Sequence, residues 1–265
     1  MSALDRARRA LFLAASLCLL AACSGGGGDD DDDEPEPPEE EDATGVWIGT
    51  YAGTPNRMTV IAAPDGSFVG LIAPTNPPGN NGRIIVGTGT VTAPDIINAT
   101  GTAYGVGAAL PNGAVSAPLT IAAGRVTERS SLTGNFSAGG EVTTFALNFA
   151  APSTRAPSFA TLAGVYTGPG TALATVTIRT DGTATFNHSN GCIGNGSFTI
   201  VDPAWNIYRW SLSIANCSAP VVPDHTASGL ATLLDNSAGS TASFLVMAGT
   251  ATGAPLPWWA FNGTK

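Results

Sequence analysis

From residue 43 onward the hydrophobic positions follow a period of two, and no helical period is present. Short runs of Val, Ile, Thr and Phe alternate and are broken by Gly, Pro, Asn and Asp. That pattern predicts strands. Met58, Val60 and Ala62 fall on one face, with Arg57 and Thr59 on the other. Thr143, Phe145, Leu147 and Phe149 alternate with Val142, Thr144, Ala146 and Asn148. Tyr208, Trp210, Leu212 and Ile214 alternate with Ile207, Arg209, Ser211 and Ser213. One wet face and one apolar face is what an antiparallel sheet around a single core requires.

A comparison of the chain with itself divides this region in two. Gly45-Val46-Trp47-Ile48-Gly49 matches Gly164-Val165-Tyr166-Thr167-Gly168. Thr59-Val60-Ile61 leads to Asp65-Gly66 as Thr175-Val176-Thr177-Ile178 leads to Asp181-Gly182. Gly89-Thr90-Val91-Thr92 matches Gly196-Ser197-Phe198-Thr199, and Ser137-Ala138-Gly139 matches Ser237-Ala238-Gly239. The order is kept throughout, which marks an internal repeat. In the first half the predicted strands lie near 46–52, 57–63, 67–73, 83–92, 95–104, 116–122, 125–136 and 141–149. The Asp-Gly pairs are hairpin signals, because glycine takes the positive φ of such turns. About eight meandering strands per half can close on themselves and remove exposed edges. The prediction is all-β: two tandem small antiparallel meander barrels over 44–151 and 160–265, joined by 152–159. A pair of open sandwiches is the alternative.

Ahead of the strands stand two segments of different character. Met1–Arg9 is a short head bearing Arg6, Arg8 and Arg9. The stretch 10–22 is apolar apart from Ser16, too short to span a bilayer and of signal-peptide length. It ends Leu20-Ala21-Ala22-Cys23, which resembles the bacterial lipobox. That resemblance implies cleavage of 1–22, diacylation of the Cys23 thiol and acylation of the new N-terminus. Ser24 in place of Asp at the next position implies the outer membrane of a Gram-negative cell, on its surface or its periplasmic face. Residues 23–43 then read as a disordered tether, Gly25–Gly28 followed by the self-repelling acidic run 29–42.

Charge changes the picture once this run is set aside. It holds 11 of the chain's 20 acids and no base, and Asp5 belongs to the leader. Residues 43–265 carry eight acids and eight bases, so the folded part is neutral and sparsely charged. No basic patch can be assembled, which excludes nucleic acid as a partner.

Candidate chemistry is thin. Cys192 and Cys217 remain after the leader and Cys23. In a meander they end alternate strands at the same pole, so in an exported protein they are predicted to form a disulfide worth about 3 kcal/mol. There is no Gly-x-Ser-x-Gly elbow, Ser-x-x-Lys, phosphate loop or His-Glu-x-x-His, and Lys265 is the single lysine. His188 and His225, the latter beside Asp224, sit in loop-like stretches. No catalytic residue, metal site or cofactor is predicted, and the chain is read as a non-enzyme. Trp47, in a Gly-x-Trp setting that resembles the opening of lipocalins, and Tyr166 at the matching place are predicted barrel-plug aromatics. Trp205 and Arg209, on the face opposite Tyr208 and Trp210, and the neighbours Trp258 and Trp259 are candidate contacts for a partner or for the other barrel.

The lipobox, glycine-rich tether and tandem β-domains together resemble bacterial surface lipoproteins of the transferrin-binding and factor-H-binding kind. The resemblance implies a non-enzymatic binding module, anchored in the outer membrane through its N-terminal lipid. Its partner would be an extracellular or periplasmic protein, a glycan or a small apolar ligand. A structural envelope lipoprotein without a dedicated ligand and a periplasmic protease-inhibitor-like barrel are the alternatives.

Overall fold

The computed structural model describes residues 41–51, 57–73, 82–92, 95–106, 109–168, 174–189, 191–217, 224–235, 244–254 and 258–265. The first half contributes β1 (Gly45–Tyr51), β2 (Arg57–Ala62), β3 (Ser67–Ala73), β4 (Gly82–Thr92), β5 (Ile96–Val106), β6 (Ser116–Thr127), β7 (Ser131–Ala138) and β8 (Glu141–Phe149). Each strand pairs antiparallel with the next, and β1 also pairs with β8, so the ring closes. The second half contributes β9 (Gly164–Thr167), β10 (Ala174–Ile178), β11 (Thr183–His188), β12 (Ile193–Ile200), β13 (Tyr208–Ala215), β14 (His225–Leu234), β15 (Phe244–Thr252) and β16 (Trp258–Thr264). It closes through β9, which pairs with β10 and with β16. The protein is therefore two closed eight-stranded barrels in tandem. A short 3-10 helix, Ala151–Thr154, and a one-turn helix, Phe159–Leu162, connect them; the Ser158 hydroxyl caps the second by accepting from Thr161 N.

The repeat is visible in bonding as well as in sequence. Trp47 Nε1 donates to the carbonyl of Ala43, four residues earlier, at 2.8 Å. Tyr166 Oη donates to Leu162, also four residues earlier, at 2.6 Å. Both rings are fully buried. Asp65 accepts from Ser67 N and Oγ, and Asp181 accepts from Thr183 N and Oγ1. Gly66 and Gly182 follow these aspartates with φ of 80° and 82°. A Cβ on Gly66 would meet the carbonyl oxygen of Gly89 at 2.4 Å, so both the φ and the close approach require glycine there.

Two details of the predicted register change. Ser67 pairs with Thr88 and Thr183 with Ser197, so Gly196 corresponds to Gly87 rather than to Gly89. A slip of two residues keeps the same face, which is why the sequence match survived it. The break predicted at 123–124 is a bulge inside β6: the register shifts between Ile121 and Arg125, and Ala123 takes φ 54°. The turn itself falls at Glu128–Ser130, where Ser130 N donates to Thr127 O. The predicted match of Ser237-Ala238-Gly239 lies outside the described residues.

The expectation of one wet face per strand holds for β6, β8 and β13, where burial alternates strictly over most of the length. It fails for β2, β14 and β15. Met58 to Ile61 are all buried, as are Leu230 to Leu234 and Leu245 to Gly249. These strands are covered on both sides. Their inward residues belong to the two lumens, and their outward residues meet in a third apolar cluster between the barrels. Val46, Ile61, Val69 and Ile84 of the first half pack there with Ile207, Leu230, Leu234 and Val246 of the second. Each such side chain is worth about 1.5–3 kcal/mol when fully buried. The ion pair at the rim of this seam, Arg209 with Asp65, has half-exposed side chains. A pair of that kind contributes at most about 1 kcal/mol. The seam is therefore held by apolar burial.

One buried polar chain crosses it. Ser153 Oγ accepts from Val46 N at 3.0 Å, and Ser153 O accepts from Asn206 N at 2.8 Å. Asn206 Nδ2 donates to Pro152 O and Leu233 O at 3.1 and 2.7 Å, while Thr232 Oγ1 donates to Asn206 O at 2.8 Å. Asn206→Ala strips two carbonyls of a donor, so stability should fall by about 1–3 kcal/mol. Because the chain spans the seam, urea melts followed by tryptophan fluorescence and by far-UV circular dichroism should shift together. Two separated transitions, with only one of them moved, would contradict the seam's role.

Candidate functional site

The lumen of the first barrel contains a cavity of about 520 Å³, within the range of small-ligand sites. Met58, Val60, Ile85, Leu132, Phe145 and Leu147 form its apolar wall. Among the described residues its lining reaches the surface at one pole. There the wall continues into the β2–β3 turn at Ala63–Gly66, the end of β4 at Thr90 and Val91, and the entering segment Glu41–Thr44. Trp47 positions that segment through its bond to Ala43 O, and Thr44 N donates to Asp42 Oδ1 at 2.8 Å. The Trp47 ring is itself braced edge-on by Phe149, 5.2 Å between centroids.

A polar lock of Tyr51, Arg83 and Glu141 lies at the far pole. Tyr51 Oη donates to Glu141 Oε1 at 3.2 Å and accepts from Arg83, whose Nη2 lies 2.6 Å from Glu141 Oε2. Phe136 stacks on the Tyr51 ring at 5.2 Å, and the Arg83 guanidinium sits over it at 5.3 Å. Among the described residues, the base at this inner end is thus matched to its own carboxylate. Burial pushes the Tyr51 phenol up to about 12, against the pull of Arg83 and with the help of Glu141.

In the second lumen the described aromatic side chains pack against one another. Trp210 and Trp259 lie 4.8 Å apart, and Phe186 meets Trp259 edge-on at 5.5 Å. Trp210 Nε1 donates to Leu230 O at 3.0 Å. The first lumen has small residues at Gly70, Ala99 and Ala103, and its strands β4, β5 and β6 run to 11, 11 and 12 residues. Longer walls and smaller side chains leave space that the second half gives to indole rings.

The residues singled out from sequence separate accordingly. Cys192 and Cys217 are disulfide-bonded, with Cα atoms 3.9 Å apart, after the third and fifth strands of their barrel. Trp205 is buried in the seam, with Phe149 edge-on at 6.2 Å and the Arg129 guanidinium 5.5 Å from its ring. Arg209 crosses to Asp65 and to Ser67 Oγ. Trp259 faces the second lumen; the side chain of Trp258, like Cys23, lies outside the described residues. His188 ends β11 beside Phe186. His225, Asp224 and Ser213 line a shallow groove on the outer wall of the second barrel, where Asp224 and Ser213 are exposed. The cavity and the Tyr51–Arg83–Glu141 lock were not anticipated. Small residues recur at alternate positions of β5, Ala99, Gly101 and Ala103, and Ala99 borders the cavity, but Ala227, Gly229 and Ala231 of β14 repeat the run in the second barrel, so it does not single out the first lumen.

Compared with family models, curated proteins and solved structures, the chain matches none of them.

Burial also raises the phenol of Tyr166 to about 12 and lifts that of Tyr208. In each case the fold favours the neutral form, so stability is complete below the unfolded value near 10. It is lost as pH rises from there through the folded values. An absorbance titration at 295 nm should show these tyrosines lagging and then ionising together with unfolding. Ionisation of all four tyrosines near pH 10 in a still-folded protein would contradict the burial of these rings.

Proposed function

We propose that this protein is a non-enzymatic binding module of the bacterial envelope, anchored through a lipidated Cys23, whose N-terminal barrel holds a small apolar ligand. The observation that carries the reading is the asymmetry of the lumens. One is open beside the entering segment Glu41–Thr44, apolar and about 520 Å³. The other is occupied by its own tryptophans and phenylalanines. Burial of apolar surface drives entry, at about 0.8 kcal/mol per methylene. The second barrel acts as a support: it covers the outward apolar faces of β1–β4 and keeps the ligand-bearing ring closed. The tether would let this pair of barrels stand clear of the lipid surface, in the manner of the surface lipoproteins the sequence resembles. The eight acids and eight bases of residues 43–265 offer no charged face of the kind those proteins use, which favours an apolar ligand over a highly charged host protein.

The uncharged fluorophore N-phenyl-1-naphthylamine tests the reading. It should bind with one-to-one stoichiometry and an enhanced, blue-shifted emission. Ala99→Phe, which puts a ring into the open lumen, should weaken binding at least about tenfold while leaving the disulfide and the cooperative melt in place. Probe binding that is unchanged by Ala99→Phe and equally by Ala62→Phe at the mouth would contradict occupancy of this lumen.

A further inference from the structure

We propose that the first barrel selects single-chain amphiphiles with a cationic head group, the chain entering the lumen and the head remaining at the mouth. The inference rests on the apolar-ligand reading and adds the chemistry of the head.

Three observations carry it. Among the described residues, the charged side chains that line the cavity are Glu41, Asp42 and Asp65, all acidic, with no arginine or lysine. Asp65 is matched by Arg209. Glu41 and Asp42 are not: they accept hydrogen bonds from the backbone N–H groups of Glu128 and Thr44, and none of the ion pairs among the described residues includes either. These two carboxylates also end the run 29–42, with its 11 acids and no base, so the sequence leading to the mouth has one sign of charge. Finally, among the described residues the lumen opens beside these acids. At its opposite end Arg83 is already paired with Glu141 and covered by Tyr51, so an anionic head could not be carried through to that base. A chain that enters tail first leaves its head among carboxylates. A fatty acid would place like charges together, whereas an alkylammonium is complemented.

The test uses the full chain carrying Cys23→Ser, so that no anchor lipid competes. Bound N-phenyl-1-naphthylamine is displaced with dodecyltrimethylammonium, with dodecanoate and with tetramethylammonium, each below its micellar concentration. Dodecyltrimethylammonium should displace the probe at least about tenfold more tightly than dodecanoate at low salt. The ratio should shrink in about 1 M salt, where the screening length is about 3 Å. Tetramethylammonium should not displace the probe, and each methylene removed from the cationic series should weaken displacement about fourfold. In Glu41→Gln/Asp42→Asn the cation-to-anion ratio should fall to within about threefold. A dodecanoate affinity equal to or above that of the cation, with the probe binding normally, overturns the cationic preference alone. A ratio unaltered by the double substitution overturns the role of the mouth carboxylates. Failure of the neutral probe to bind at all overturns the apolar-ligand reading and this inference with it.

Discussion

The outward faces of β1–β4 and of β14–β15 are apolar, and neither barrel can leave its share of that surface in water. Val46, Ile61, Val69 and Ile84 are covered only because Leu230, Leu234 and Val246 are brought against them. This contact governs much else. It makes strands in both halves buried on two sides, it places Trp205 and Arg209 against the other barrel, and it requires a short, rigid connection. Residues 150–158 meet that requirement by hydrogen-bonding to both barrels, with Ser153 at Val46 and Tyr208 Oη on Ser158. Unlike a pair of domains on a linker, these barrels share a core.

Within that frame the two halves have diverged in their interiors while keeping their framework. The buried aromatic bonded to the carbonyl four residues back, the Asp-Gly turn with its hydroxyl partner and the closing meander are common to both. What differs is lumen volume against side-chain volume. Wide interiors are costly unless filled or occupied, since a void forfeits dispersion contacts on its walls. The second barrel answers with Trp210, Trp259, Phe186 and Phe198, and adds the disulfide at the pole where its β11–β12 and β13–β14 connections meet. The first keeps Ala99, Gly70 and Ala103 inward and places its rigidity at the far pole, in Tyr51, Arg83 and Glu141. The first barrel thus keeps an apolar cavity with an open mouth, and the second an aromatic core.

Much of this was legible in the chain. Strict alternation at Thr143–Phe149 and Tyr208–Ile214 predicts strands facing water on one side, and they do. The Asp-Gly turns and the Gly45/Gly164 repeat divide the halves correctly, and the position of two cysteines after alternate strands leads to their bond. The seam was harder to read, because alternation was assumed where the residues did not alternate. Met58-Thr59-Val60-Ile61 and Leu230-Ala231-Thr232-Leu233-Leu234 are nearly continuous apolar runs, the signature of strands covered on both faces. The cavity was not legible for another reason. A lumen's emptiness depends on the sum of side-chain volumes around a ring, and no single position records it. The mouth acids were visible as a charge run, and only the fold joins Glu41 and Asp42 to an opening.

The most direct test of the account is crystallography of the folded protein soaked with 1-bromododecane, read by anomalous scattering at the bromine edge. The account predicts a bromine peak within the first barrel or at its mouth, with the alkyl chain against Met58, Ile85 and Phe145, and an unoccupied second lumen packed around Trp210 and Trp259. A first lumen closed by its own side chains, or bromine bound only along the seam or the outer walls, would contradict it.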